Sequence, residues 1–288
     1  GYVGIEAEFG GKLESYFVPM QIRVWDFELP TATNLRTAVA IYTSNLLPEK
    51  DKNKVNDFIL RYRINPDDIY RTKPPAIEDL LRWKSQGMNA FNILYIRNEK
   101  DADGNFPIGK KREILNTLDQ YIPLLKQNRL YELAYVYGFD EIDPDSYQTL
   151  KDIFSEIKKR YPDLKLLTTA RDNTYGEQSG LEVVDAWCPL TNFLDLDAAE
   201  RARERGKKVW WYICCYPHPP YANFFVESPA IEPRLLMGFH AQHFNVDGFL
   251  YYSLTRWYSN TQPIISGPYT NWNPASYQTY NGDGSLLC

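Results

Sequence analysis

The sequence predicts an α/β chain: a (β/α)8 TIM-type barrel, preceded by the last strands of a β-sandwich or by a small β-extension. Three observations predict it. From about residue 37 onward, short apolar runs alternate with amphipathic stretches, the pattern of parallel βα units. Eight such runs can be counted, the number that closes a barrel. No GxGxxG or P-loop follows the first run, and an open doubly wound sheet would lead one to expect such a loop.

The elements follow in order. Residues 1–30 hold two alternating segments, GYVGIEAEFGG and LESYFVPMQIRVWDFELP. In the second, Val18, Met20, Ile22, Val24 and Phe27 keep an approximate period of two. They read as two antiparallel strands ending at Leu29-Pro30. Two strands do not make a sandwich by themselves, so residues 1–30 are assigned as the end of a β-domain and 31–288 as the barrel. TAVAIY opens the barrel, followed by the helical KDKNKVNDFILRY. RINP is the second and weakest strand, before the helical AIEDLLRWKSQG. NAFNILYI and KKREILNTLDQYIPLLKQN form the third unit, ELAYVYGF and SYQTLKDIFSEIKKRY the fourth. LKLLTTA is the fifth strand and VVDAWCPL the sixth, with LDAAERARERG a helix after it. KVWWYICC, the helical IEPRLLMGFHAQHF and DGFLYYSL complete the barrel.

Composition narrows the function. The chain has 32 Lys+Arg against 37 Asp+Glu, with no basic cluster, so a nucleic-acid partner has no electrostatic support. No apolar run approaches the ~20 residues that a membrane-spanning helix needs. No N-terminal signal peptide is visible. The chain opens on Gly1 inside a strand-like segment, which reads as the interior of a longer protein. Aromatic residues make up 15%; where they flank loops, they suit packing on the C–H face of a sugar. Cys188, Cys214, Cys215 and Cys288 lack a CxxC spacing and read as free thiols rather than a zinc site. His218 has no partner motif, and His240 and His243 lack a third ligand nearby in sequence, which favours structural roles. No metal or other cofactor is expected.

The fourth strand ends on Asp140 and Glu141. In a barrel of this type, active sites lie at the C-terminal ends of the strands. Two adjacent carboxyls against an aromatic wall resist ionising together. A carboxylic acid that keeps its proton near neutral pH is what glycosidic cleavage requires. Asp143 and Asp145 instead suit the positive N-terminus of the next helix. Ordinary retaining glycosidases place a second carboxylate about 5 Å from the acid. KVWWYICCYPHPP, the seventh strand and its loop, holds none. Either Asp172 or Asp185, near other strand ends, is the nucleophile, or the substrate's own 2-acetamido oxygen attacks.

FDE after an apolar strand, WWYICCYPHPPYANFF, EPRLL and DGFLYYSLTRW occur in this order. Together they resemble the catalytic region of glycoside hydrolase family 123, the β-N-acetylgalactosaminidases, and related bacterial domains of unknown function. The resemblance runs from VWDFELP at 24–30 to NGDG at 281–284. It implies a (β/α)8 barrel after a β-sandwich, a glycan substrate and a location outside the cytoplasm. It also implies that Asp140 holds the 2-acetamido group, that Glu141 is the general acid/base, and that configuration is retained through an oxazolinium ion. Trp210, Trp211, Tyr212, Asn223, Tyr251 and Trp257 fall in the matching blocks as candidates for the sugar pocket. Strand alternation turns about half of 210–212 toward the core. Trp187, near the end of the sixth strand, and Arg63, at the start of the second, are further substrate-binding candidates. Where the family pattern is LYWxxNxW, this chain reads LYYSLTRW, with Tyr252 and Thr255, a change in the pocket wall that bears on substrate identity. Two other readings stand beside this one: a non-catalytic carbohydrate-binding or structural barrel, and a hydrolase of a different glycan, including one cleaved in endo mode.

Overall fold

The computed structural model describes residues 1–42, 47–257 and 280–287. Two units are resolved by their internal contacts, Gly1–Pro30 and Thr31–Cys288. In the first, β1 (Tyr2–Phe9) pairs antiparallel with β2 (Lys12–Pro19). Gly10 and Gly11, with φ of 58° and 78°, form the two-residue turn whose left-handed backbone matches strand twist. The second strand stops earlier than its alternation suggests. Met20 donates its N–H to the Gly1 carbonyl, and the apolar alternation of residues 20–27 continues with no strand opposite it.

The second unit is a sheet of seven parallel strands, β3-β9-β8-β7-β6-β5-β4 in order, nearly closed into a barrel. These are β3 (Arg36–Val39), β4 (Phe91–Ile96), β5 (Ala134–Gly138), β6 (Lys165–Thr168), β7 (Ala186–Trp187), β8 (Lys208–Ile213) and β9 (Gly248–Tyr251). Helices α1 (Glu49–Arg61), α2 (Ile77–Ser85), α3 (Ile108–Gln127), α4 (Tyr147–Arg160) and α5 (Leu196–Glu204) stand between them. Residues 232–243 add a last helical stretch, π-helical over Leu235–Phe239.

The expected second strand, RINP, is reduced to a single bridge, Val39↔Pro66. Proline has no N–H to give to a ladder, so side chains close the gap between β3 and β4. Asp67 is fully buried; it accepts from the Asn92 N–H (2.8 Å), Tyr135 Oη (2.6 Å) and Arg71 Nη2 (3.0 Å). Asn92 donates to the Ile69 carbonyl (3.1 Å) and accepts from the Tyr137 N–H (3.0 Å). That last bond replaces a rung of the ladder where the β4–β5 register shifts. Burial pushes the Asp67 carboxyl up to about 6 against the opposing pull of Arg71.

Alternation sorts the strands into two layers. Val136, Leu166 and Val209 face the helices and pack with Leu150, Ile153, Phe154, Ala198 and Ala202. Tyr135, Tyr137, Leu167, Trp210, Tyr212 and Leu250 belong to the inner cluster. Low in the interior, Trp210 meets Tyr135 edge-on at 5.6 Å and lies over Gly248, where an added Cβ would sit 2.2 Å from the indole. Gly248→Ala should therefore destabilise the fold by ~1–3 kcal/mol, as overpacking of a close-packed core does. Urea denaturation monitored by tryptophan fluorescence would measure it; an unchanged midpoint would mean that Trp210 has room to move.

Candidate active site

The chain leaves β5 through a strained corner. Gly138 has no room for a side chain, since a Cβ there would stand 2.9 Å from that of Ile96. Phe139 and Glu141 then adopt left-handed backbone, with φ of 58° and 50°. For a bulky residue this is an outlier, and such conformations cost ~1–3 kcal/mol each and persist only where the surroundings impose them. Here the surroundings do so. Phe139 is fully buried against Phe106 and Phe154, its N–H bonds the Ile96 carbonyl, and its own carbonyl accepts from Thr168 Oγ1. The corner brings two sequence neighbours, Asp140 and Glu141, into the lining of one cavity at the C-terminal ends of the strands.

Three hydroxyls converge on Asp140. Tyr70 Oη donates to Oδ2 (2.7 Å), while Tyr137 Oη (2.5 Å) and Thr169 Oγ1 (2.8 Å) donate to Oδ1. A carboxylate offers about four acceptor sites, so one remains for a substrate donor. Tyr70, Tyr95 and Tyr137 hold one another through ring contacts of 5.1–6.2 Å. Burial, reinforced by the Asp140 charge, raises the Tyr70 and Tyr137 phenols far above their ordinary range, and Tyr95 to about 12. They stay protonated, as donors.

Glu141 is held differently. Tyr212 Oη donates to Oε1 (2.5 Å), and Arg171 Nη2 reaches Oε2 at 3.3 Å. Arg171 also pairs with Asp143 and is half exposed, so this pairing is weak. The Glu141 N–H bonds Thr169 Oγ1 (2.9 Å), which ties both carboxyls to one threonine. Burial and the neighbouring Glu141 charge keep the Tyr212 phenol protonated.

The cavity encloses about 690 Å³, which suits a sugar-sized ligand. Beside the two carboxyls, Arg171, Leu190, Asn192, Phe193, Cys214, Cys215, Tyr216, Leu250, Tyr252 and Arg256 line it. Phe193 and Tyr216 expose 55% and 54% of their surfaces, leaving aromatic faces at the mouth for a ligand. Tyr252 donates to Asp283 Oδ1 (2.6 Å); Asp283 is buried behind that ring, and burial raises its carboxyl to about 6.

Of the substrate-binding candidates, only Tyr212 lines this cavity. Trp210 points inward one layer too low. Trp211 and Trp187 point outward, onto Phe244 and Tyr175 respectively. Tyr251 is buried against Phe224 and accepts from the Gly284 N–H. Trp257 is buried with its indole N–H on the Leu287 carbonyl. Asn223 is fully buried and acts on the wall indirectly: its amide donates to the Cys214 and Pro217 carbonyls and so clamps the loop after β8. Arg63 is exposed just past the end of α1 with φ 60°. It precedes the second-strand bridge, at the N-terminal mouth of the barrel, because parallel strands put their starts opposite the catalytic face. Thr255 holds both backbone polar groups of Tyr42.

Neither alternative nucleophile reaches the cavity. Asp172 is consumed in its own turn by Thr174, Gly176 and Ser179. Asp185 accepts from Lys158 and the Leu166 N–H at the start of β7. Among the described residues, no group of three or more His, Cys, Asp or Glu is placed to hold a metal ion, and no helix is long and apolar enough to cross a membrane. Cys188 is buried and its thiol raised by burial; Cys288 lies outside the described residues.

Residues 87–286 match the family model described as glycoside hydrolase 123, catalytic domain. No curated protein matches. Among solved structures, a family 123 glycoside hydrolase from Clostridium perfringens, studied for glycolipid glycan hydrolysis, superposes with a TM-score of 0.62 at 15% identity. The superposition covers 98% of this chain and 59% of that one, and it supports the barrel fold. A glycerophosphodiester phosphodiesterase from Parabacteroides distasonis gives only 0.34 at 9% identity, over 61% of this chain and 58% of that one, too loose a likeness to bear on function.

Proposed function

Because the chain belongs to the glycoside hydrolase 123 catalytic-domain family, we propose that it removes β-linked N-acetylgalactosamine from glycans by substrate-assisted, retaining hydrolysis. One observation carries the mechanism. The only carboxylates lining the cavity among the described residues are the neighbours Asp140 and Glu141, and residues 43–46, 258–279 and 288 contain no Asp or Glu. An ordinary retaining pair stands across the scissile bond, about 5 Å apart; two adjacent residues anchored to one threonine suit a different division of labour. The acetamido oxygen attacks the anomeric carbon. Asp140 accepts the acetamido N–H at its remaining acceptor site and faces the positive charge that grows on the ring. Glu141 gives a proton to the departing oxygen, then takes one from the water that opens the oxazolinium ion. Phe193 and Tyr216 offer apolar platforms at the mouth.

The glycolipid glycans named for the Clostridium enzyme are the first natural substrates to try, and the same reading places the protein outside the cytoplasm. The test compares 4-nitrophenyl β-glycosides of N-acetylgalactosamine, galactose and glucose. Turnover of the first with none of the 2-hydroxy sugars is expected. Hydrolysis of the galactoside at a comparable rate would overturn the mechanism, and binding without turnover would favour the non-catalytic alternative.

A further inference from the structure

The mechanism leaves one pair of nucleophiles unused. β8 ends at Cys214 and Cys215, and both line the cavity that holds Asp140 and Glu141. Their sulfurs lie 3.9 Å apart and share a hydrogen bond. The backbone beneath them is fixed: the Cys214 N–H bonds the Tyr216 carbonyl (2.8 Å), and the Cys214 carbonyl accepts from Asn223 Nδ2 (3.1 Å). Both thiols are half-buried, open to the cavity yet walled on the other side, whereas Cys188 is sealed in the core.

We propose that Cys214 and Cys215 form a thiol–disulfide exchange site in the wall of this cavity, at which a low-molecular-weight disulfide converts the pair into a vicinal disulfide. The Cys215 sulfur attacks one sulfur of the oxidant, the oxidant's S–S bond breaks, and one thiolate leaves. The Cys214 thiol gives up its proton and attacks Cys215 Sγ. The bond to the oxidant's remaining half breaks, and a second thiolate leaves. Two protein thiols are thereby oxidised and one small disulfide is reduced to two thiols. The two sulfurs divide these roles: their shared hydrogen bond holds the Cys215 thiol below its ordinary range and raises that of Cys214, and the thiolate is the attacking form. Adjacent residues have Cα atoms only ~3.8 Å apart, closer than the ~4.4–6.8 Å that unstrained disulfides span. The bridge is therefore readily reduced again, as labile and regulatory disulfides are. Closing it draws the sulfurs to ~2.05 Å and reshapes the turn just past Tyr212, the donor to Glu141. The exchange chemistry stands on this geometry alone; its effect on hydrolysis rests on the function proposed above.

The experiment treats the full chain, under native conditions, with excess oxidised glutathione and follows peptide masses and aryl glycoside hydrolysis together. The peptide carrying Cys214 and Cys215 should lose two hydrogens and keep no adduct, and hydrolysis should fall in step with the oxidised fraction. Dithiothreitol should restore both. In Cys214→Ser, glutathione should remain as a mixed disulfide on Cys215; in Cys215→Ser, the pair should stay unmodified over the same time. An unmodified pair in the native chain, equal reactivity in Cys215→Ser, or a bridge from either residue to Cys188 or Cys288 would overturn the proposal. A clean mass change in a protein that hydrolyses no glycoside would refute the glycosidase reading and leave the exchange site standing.

Discussion

Glu141→Gln should slow hydrolysis of natural glycans by about 10²–10⁴-fold, the range lost when a positioned general acid is removed. The physical reason lies in the leaving group. A sugar or ceramide alkoxide is a strong base, and the bond to it breaks only if a proton arrives during cleavage. Gln cannot supply that proton, yet it fits the same space and can still accept from Tyr212, which donates to Glu141 Oε1 in the native protein (2.5 Å). A 4-nitrophenolate needs little protonation, so aryl glycosides should lose much less in their first step. The expected signature is thus a gap between the two substrate types, measured as kcat/KM side by side. Equal losses on both would point to a collapsed pocket, and a small loss on both would remove Glu141 from the acid's role.

The carboxylate pair was legible because it is local: an apolar strand that ends on Asp140-Glu141 needs no knowledge of the rest of the chain. The parallel barrel was legible for the same reason, since each βα unit repeats a pattern within some thirty residues. The groups that hold the carboxylates were not. Tyr70, Tyr137, Thr169 and Tyr212 come from four different strand ends, and no spacing in one dimension brings them together. Their only sequence signal is that a polar-tipped residue stands at the end of a strand. Direction was the second blind spot. Trp187, Trp211 and Tyr251 sit at the right height but on outward positions of their strands, and Trp210 points inward one layer too low. A motif match carries residues to a strand without saying which face they occupy. The second strand failed for a chemical reason visible in hindsight: Pro66 breaks the ladder, and Asp67, Asn92 and Tyr135 complete the closure through side chains.

Asp140→Asn separates substrate-assisted from ordinary retention, and it should lower kcat by about two to three orders of magnitude, equivalent to roughly 3–4 kcal/mol of electrostatic stabilisation in a water-excluded site. In the native cavity Asp140 only accepts, from Tyr70, Tyr137 and Thr169, and its remaining acceptor site meets the acetamido N–H. Asparagine keeps the size and loses the charge. Its NH₂ group then faces hydroxyl donors or the substrate's own N–H, a donor against a donor. The loss should appear chiefly in kcat, because the positive charge on the ring develops as the acetamido oxygen attacks. Thermal unfolding of the variant, followed by circular dichroism, checks that the hydroxyl cluster still packs. A thiazoline mimic of the oxazolinium ion should bind the native protein tightly and the variant poorly, and the difference should parallel the fall in kcat. If instead a fluorinated sugar trapped a covalent glycosyl-enzyme on Asp172, Asp185 or Asp283, the protein would be supplying its own nucleophile. The same conclusion would follow if Asp140→Asn lost little while a plain galactoside turned over. Either outcome would move the chain to two-carboxylate retention and leave Asp140 as a structural acceptor for three hydroxyls.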